Sequence, residues 1–421
     1  MTNRHFKVVD LFSGAGGMSF GFHRHPAFRV VGAADAEMGK PSSGTGALQC
    51  NLTYACNIGI EPVAVDLGQV DPAGLVQLLG EEARAGVDVL AVCPPCTGFS
   101  RTNPNNHLND DRRNSLVRRC ADFAAVLDAD VVVMENAREL IRGNFTHHYQ
   151  AFRAAMQRNG YKVAGANYFL SRFGLPQVRE RAIVLAVKRG LRLRTMDDLW
   201  GDWTVRGEAV TVRRAFSAIA PDASGLGAYP GFSSDEVKQR IRATPPDGGS
   251  WMDLLEHPAA DTLLTPSMKR IVRERRFGSY PDVYGRMAWD RPAPTIKREC
   301  AHVGNGRYAH PVEDRLCSVR EMAALQGFPN DFRFADANLS NLYRHIGDAV
   351  PPLISFQIAH LCNWILTGVR PAMPELVLPL AQLTAMDLLP AEQSLLLCAD
   401  DHVAQHKPGA PTVHPAYRFS A

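Results

Sequence analysis

Short apolar runs, each cut off by glycine, proline or a charge, divide the first half of this chain. Lys7 to Phe12 (KVVDLF), Arg29 to Ala34 (RVVGAA), Pro62 to Val65, Val87 to Val92 (VDVLAV) and Asp130 to Met134 (DVVVM) are brief and rich in β-branched residues. They read as strands, the last two of them buried on both faces as in a parallel sheet. Between them lie stretches of helical spacing: MSFGFHRH after the first run, Leu116 to Leu127, and Phe152 to Gly160, the last closed by its glycine. Strand and helix signals in alternation predict an α/β fold. Further on, Gly174 to Val187 (GLPQVRERAIVLAV) runs into another apolar strand. Gln177, Arg179 and Arg181 occupy alternate positions there and so share a face, either of a functional strand or of an edge strand with solvated charges. Ser318 to Gly327 reads as a helix, and Ile346 to Pro352 (IGDAVPP) as a turn into the apolar helix Leu353 to Leu366, where an early proline loses only an orphan amide.

The strand ends carry the candidate chemistry. After the first run come Ser13, Gly14, Ala15, Gly16 and Gly17, a tight turn that brings backbone close to a ligand at a helix start, with GxGG spacing rather than a dinucleotide fingerprint. Asp35 ends the second run about twenty residues on, where a carboxylate accepts ribose hydroxyls in Rossmann-like folds. Asp66 ends the third in the same way, and either aspartate equally suits a helix cap. The fourth breaks off into CPPCTGFS, which places Cys96 on a turn at a strand's carboxyl end; a buried, inert thiol is the alternative. The fifth carries Glu135 and Asn136. Three strands from separate parts of the chain thus deliver a glycine loop, a cysteine and a carboxylate to one sheet edge. Arg101 to Asn114, polar and with three arginines, reads as a loop beside Cys96.

Composition adds bounds. The chain has 421 residues, 46% hydrophobic and 21% charged, ordinary for a globular protein. No uninterrupted apolar run reaches the ~18 residues that span a bilayer, and the start has no leader pattern, so a cytoplasmic protein without membrane contact is expected. Nine scattered cysteines predict reduced thiols rather than a disulfide framework. The net charge of +3 is too mild to name a partner, but Lys269 to Arg298 holds nine basic residues against three acidic ones. From about 190 to 290 the periodic signals thin while proline, glycine, tryptophan and arginine become prominent. That predicts a smaller, irregular domain, with Arg291 to Ile296 (RPAPTI) as the return from it. The tail from Pro371 to Ala421 holds seven prolines and a short leucine run, Leu395 to Leu397, with no legible role.

With these residues laid out, the chain closely resembles the bacterial cytosine carbon-5 DNA methyltransferases. The likeness rests on DLFSGAGG (Asp10 to Gly17), PPCTGFS (Pro94 to Ser100), ENA (Glu135 to Ala137), QVRER (Gln177 to Arg181), RPAPTI and GDAVPP (Gly347 to Pro352), in the family's order. The resemblance implies a Rossmann-like S-adenosylmethionine-dependent catalytic domain (1–189), a target recognition domain (190–290), a return segment (291–370) and an appendage (371–421). It implies that S-adenosyl-L-methionine is held by Phe12, Ser13, Gly14, Ala15, Gly16, Gly17, Pro94, Ala349 and Val350, with Asp35 on its ribose, Asp66 on its adenine and Asp348 nearby. Cys96 falls on the nucleophile, Glu135 on the catalytic glutamate, and Arg179 and Arg181 on the arginines near the target base. Ser100, Arg101, Arg112, Arg113, Gln177, Arg273, Arg275, Arg276, Lys297 and Arg298 are the candidate contacts to double-stranded DNA. A monomer on DNA, an associated restriction or defence system and no metal are expected. Asp348 stands where the family more often has asparagine, Thr97 where glutamine is frequent, and ENA replaces ENV.

The chemistry asks for these groups. Carbon 5 of cytosine is a poor nucleophile until something adds at carbon 6; a thiolate does this, helped by nearby positive charge such as Arg181. A carboxyl group at ring nitrogen 3, Glu135, stabilises the charge that develops there. A stacked base cannot reach such a pocket, so the cytosine must flip out, at a cost of a few kcal/mol. Three rivals stay open: methylation of transfer RNA, a Cys93/Cys96 redox pair, and a DNA-binding protein without catalysis.

Overall fold

The computed structural model describes residues 5–39, 44–96, 98–99, 110–221, 226–275, 282–335 and 337–392. Its centre is a seven-stranded sheet of β1 (Phe6–Leu11), β2 (Phe28–Asp35), β3 (Val63–Ala64), β4 (Val89–Val92), β5 (Val131–Ala137), β6 (Tyr161–Phe169) and β8 (Glu180–Lys188), in the order β3-β2-β1-β4-β5-β8-β6. A two-residue strand, β7 (Gln177–Val178), precedes β8 and pairs elsewhere, with β10 (Ala293–Pro294). The sheet is parallel except at β8, which runs antiparallel to both β5 and β6. Strand order reverses between β1 and β4, and the crevice beyond the carboxyl ends at such a switch point is where open α/β sheets bind ligands. The two runs read as doubly buried strands are so, every residue of β4 and β5 being buried, whereas β3 at the sheet edge is half-buried to exposed.

The helices follow from the same burial demand. Helix α1 (Gly17–Arg24) starts at Gly16, whose φ of 91° favours glycine, and buries Met18, Phe20 and Phe22. Helices α2 (Cys50–Ile58), α3 (Leu116–Leu127) and α4 (His147–Arg158) flank the sheet, and α3 has the bounds its spacing predicts. Near the other end, α5 (Leu339–Asp348) and α6 (Pro352–Thr367) are separated by Ala349, Val350 and Pro351. An averaged window over Leu339–Thr367 is apolar enough to cross a membrane, although no single run predicted it, and 89% of that window is buried inside the protein. It is core packing.

Several expectations are corrected. Strand β8 is interior rather than an edge, because β6 (unread in the sequence) pairs along its whole length. Gly347 and Asp348 end helix α5 instead of forming a free turn. The sequence boundary at 190 is not a break in packing: Met196, Leu199 and Trp200 share one core with α6, and Trp200 Nε1 donates to Gln357 Oε1 at 3.1 Å. The segment beyond it is more helical than its composition predicted, with Asp235–Ala243 and Pro266–Arg273 around a small core of Trp251, Leu254, Leu263 and Met268. The tail is an appendage only in part. Leu376, Leu378 and Leu383 are buried, and β11 (Leu388–Pro390) pairs antiparallel with β9 (Trp203–Val205); Leu395 to Leu397 lie outside the described residues.

Helices α1 and α6 meet at a glycine seam. A Cβ at Gly17 would sit 2.2 Å from Val350 O, and one at Gly21 2.2 Å from Phe356 N. Ser355 closes the seam, donating to Gly17 O at 2.7 Å and accepting from Gly21 N at 3.1 Å. Both helices must separate to admit one methyl group. Gly21→Ala is therefore expected to destabilise the fold by about 1–3 kcal/mol or more, read as a lower midpoint of urea unfolding; an unchanged midpoint would show that the seam is loose.

Candidate active site

The turn after β4 is held from below. Cys93 N donates to Leu11 O at 3.2 Å, which ties the end of β4 to β1, and Phe99 N donates to Cys96 O at 3.0 Å. Asn136, 1% exposed on β5, donates through Nδ2 to Pro94 O at 2.9 Å, while its Oδ1 accepts from Ala137 N. The middle residue of the ENA motif thus fixes the proline turn that carries the cysteine. The sequence reading named Asn136 and gave it no task; its place beside Glu135 at a strand end was the available signal.

Next to Asn136 stands Glu135, whose Oε1 lies 3.1 Å from Arg181 Nε, an ion pair without hydrogen-bond alignment. The strand register sets this meeting, since Glu135 pairs with Ile183 and Ala137 with Arg181. Cys96 keeps part of its surface open, yet burial pushes its thiol up, Arg181 and Arg179 pull it down, and Glu135 and Asp348 push it up again. The net direction is upward. The expected activation of the thiol by Arg181 exists as a pull but does not win in the free protein. Cys93, also a free thiol, is pushed far higher, first by burial and then by Asp10 and Glu135, which does not suit a redox partner.

Gln177 and Arg179 turn inward. Gln177 is wholly buried; it donates to Gln326 Oε1 at 2.7 Å and accepts from Ile296 N at 2.8 Å. Its amide is engaged by protein, so the expected contact to DNA is replaced by a clamp between β7 and the RPAPTI segment. Arg179, 2% exposed, donates to Ile296 O at 2.9 Å and, at longer range, to Gly347 O (3.5 Å) and Ala349 O (3.4 Å). Burial, then Arg181, pull this guanidinium down to about 9. Gln326, which no pattern flagged, also donates to Ala349 O, at 2.8 Å.

Beside Cys96 lies the glycine loop. Phe12 has φ 61° and Gly14 φ 51°, and a Cβ at Gly14 would meet nothing within 4 Å. Gly16 leaves room for Tyr54, and Gly17 for Val350 O. Asp35 accepts from Gly14 N at 2.9 Å and from Glu37 N at 2.6 Å, so it shapes the loop from the end of β2, and burial pushes its carboxyl up despite those amides. Under the loop, Asp10 accepts from Ser19 Oγ at 2.7 Å and is pushed by burial up to about 7. Its Oδ1 and Ser13 Oγ are buried without hydrogen-bond partners among the described residues. Asp66 is exposed at the end of β3, accepting from Gly68 N at 2.8 Å. Ala15, Pro94, Ala349 and Val350 are buried around this crevice.

Asp348 meets its counter-charge within the chain. Arg298 Nη1 lies 2.7 Å from Asp348 Oδ2, and its Nη2 donates to Met38 O at 2.9 Å. Burial still pushes Asp348 up to about 6, against Arg298 and Arg179. Arg298 is therefore engaged by Asp348 and the Met38 carbonyl within the chain, a departure from its expected place among the DNA contacts. Of the other basic candidates, Arg112, Arg113, Arg273 and Arg275 are exposed and Lys297 half-buried, with Arg113 paired to Asp111 at 2.6 Å. Arg286, counted in the basic cluster, is 2% exposed and donates to Thr244 O, His310 O, Glu313 O and Ile241 O. Ser100, Arg101 and Arg276 lie outside the described residues.

Comparison with known proteins agrees with this arrangement. The family described as C-5 cytosine-specific DNA methylase matches residues 6–364. The Type II methylase M.HgiDII of Herpetosiphon aurantiacus is 29% identical over 373 residues, covering 86% of this chain and 96% of that protein. The Type II methyltransferase M1.BsuMI of Bacillus subtilis is 26% identical over 365 residues, covering 85% and 81%. Among solved structures, a putative DNA modification methyltransferase encoded within an E. coli prophage superposes with TM-score 0.58 at 21% identity, covering 86% of this chain and 99% of that one. The S. pombe Dnmt2 methyltransferase gives 0.52 at 16%, covering 86% and 100%; both show the same fold. With its sheet, its cysteine turn and its ordered motifs all in place, the chain belongs to the C-5 cytosine-specific DNA methylases and is a DNA cytosine-5 methyltransferase.

Proposed function

We propose that Cys96 attacks carbon 6 of a cytosine swung out of duplex DNA, that Glu135 meets ring nitrogen 3, and that S-adenosyl-L-methionine is the methyl donor. The observation that carries this is the convergence of Cys96, Glu135 and Arg181 on one sheet edge beside the glycine loop. The crevice fits the donor: among the described residues Gly14 faces open space and Ser13 Oγ and Asp10 Oδ1 are buried polar atoms without partners, and Asp35 and Asp66 offer acceptors. Phe12, Ser13, Gly14, Asp35, Asp66 and Val350 would hold the donor, which supplies an electrophilic sulfonium methyl.

This chain's own groups do the rest. As the Cys96 sulfur–carbon 6 bond forms the thiol proton is released, and the electron density that moves toward nitrogen 3 is met there by a proton held or shared by Glu135, oriented by Arg181. Carbon 5 thereby becomes nucleophilic, and loss of its proton after methylation expels the thiolate. Arg179 and Gln177 position these groups through the backbone they hold. Arg112, Arg113, Arg273 and Arg275, exposed, supply phosphate contacts, and sequence choice falls to side chains of the 190–290 segment. That segment supports DNA over transfer RNA as substrate. The relatives named as Type II enzymes support a role as the modification partner of a restriction nuclease; we further propose that the chain acts as a monomer on DNA in the cytoplasm.

Two experiments test this. Duplex DNA carrying 5-fluorocytosine at the preferred site, which bisulfite sequencing of expressing cells would identify, is expected to trap a stable adduct on Cys96. Cys96→Ala should lose at least about a thousandfold in activity while Cys93→Ser retains most of it; an adduct on another residue, or equal loss in both variants, contradicts the proposal. Independently, alkylation of Cys96 in the free enzyme should show a pH midpoint above that of an ordinary thiol, about 8.5. Removing a cation raises a thiol and removing an anion lowers it, so Arg181→Met should move the midpoint up and Glu135→Gln down. Shifts of the opposite sign would mean that these charges do not face the sulfur.

A further inference from the structure

Near the nucleophile, but outside the methyl-transfer machinery, a second cluster gathers. Asp110 Oδ2 lies 2.9 Å from His148 Nε2 and 3.1 Å from His147 Nε2, and the two imidazole centroids are 4.1 Å apart. One ligand atom from each of the three residues fits within 4.8 Å of the others. Both histidines open helix α4, whereas Asp110 arrives from the chain that leaves Cys96. We propose that Asp110, His147 and His148 form a binding site for one divalent transition metal ion of the zinc class, with water completing the coordination.

The geometry suits that ion. Zinc binds imidazole nitrogen and carboxylate oxygen at about 2.0–2.2 Å, so neighbouring ligands of a tetrahedral site stand about 3.3 Å apart. The two oxygen–nitrogen separations are within a few tenths of an ångström of this, and the ion replaces protons that the imidazoles now share with the carboxylate. Two neutral imidazoles and one carboxylate are a donor set that zinc, cobalt and nickel favour over magnesium or calcium. Exposure falls from 61% at His147 through 38% at Asp110 to 14% at His148, leaving an open side for entry and for water.

A supporting layer is present as well. Asn114, wholly buried, donates to Asp110 Oδ1 at 2.8 Å and so fixes the carboxylate, the arrangement that orients ligands in metal sites. Burial is the largest single influence and raises the Asp110 carboxyl, but the Asn114 amide and the two histidines together hold it below its usual range. His148 packs edge-on against Phe99 at 6.0 Å. Asn114 Oδ1 lies 2.2 Å from where a Cβ of residue 98 would stand, so only glycine fits two positions after Cys96. A bound ion would pin residue 110 to helix α4 within two contacts of the cysteine turn. This inference rests on side-chain geometry alone and survives if the methyl-transfer assignment fails.

The test is metal binding by the full-length protein after chelator treatment. Titration with Zn(II) against a chromophoric competitor, and with Co(II) read by its visible spectrum, should give one equivalent with a tetrahedral nitrogen–oxygen signature and no thiolate-to-cobalt band. That last point separates this site from the nine cysteines. Asp110→Asn, His147→Ala and His148→Ala should each weaken binding at least tenfold, and lower pH should weaken it in the wild type. If His148→Ala disturbs packing on Phe99, the exposed His147 still decides the question. Binding unchanged in His147→Ala and Asp110→Asn, or a single equivalent carrying the thiolate band, overturns the proposal.

Discussion

A guanidinium shut away from water organises the catalytic end of this molecule. Arg179 reaches backbone carbonyls of Ile296, Gly347 and Ala349, so one side chain gathers three motifs that lie far apart in sequence. Removing a charge from water costs several kcal/mol unless its donors are met, which makes this position intolerant of imperfect geometry. Gln177 and Gln326 reinforce the junction with neutral hydrogen bonds to the same backbone. The segment that carries Ala349 also packs on the glycine loop, since a Cβ at Gly17 would meet Val350 O at 2.2 Å.

The charges around Cys96 are balanced so that the thiol rests protonated. Arg181 and Arg179 favour the thiolate; burial, Glu135 and Asp348 oppose it, and the opposition prevails. A resting thiol is less exposed to oxidation than a thiolate. Arg298 serves a similar economy for Asp348: the carboxylate that replaces the family's usual amide is not left alone in the crevice, since an arginine from a segment 50 residues earlier supplies its counter-ion. The departure that the sequence left in doubt is therefore compensated locally.

Much of this was legible before the fold was seen, for definable reasons. A strand buried on both faces has no polar face to hide its signal, so β1, β4 and β5 stood out, and a functional turn must follow each where the sheet ends. Strand β6 did not stand out: KVAGAN between Tyr161 and Phe169 mixes small and polar residues because most of its positions are only half buried. The inward turn of Gln177 was also hidden, since alternation tells which residues share a face and not whether that face meets water or protein. Arg298 illustrates a third limit. It sits in a basic run that reads as a nucleic-acid surface, and only tertiary placement reveals that its partner is Asp348, 50 residues on.

The glycine seam bears on biosynthesis. Ser355 bonds to Gly17 across 338 residues of chain, so while a ribosome adds about 5–20 residues per second, the amino-terminal half waits roughly 20–70 s for the helix that covers it. Through that interval the apolar flank of α1, with Met18, Phe20 and Phe22, is open to chaperones and to misassociation. A nascent or prematurely terminated polypeptide lacks the Val350 carbonyl and the Ser355 hydroxyl on which the glycine turn and helix α1 close.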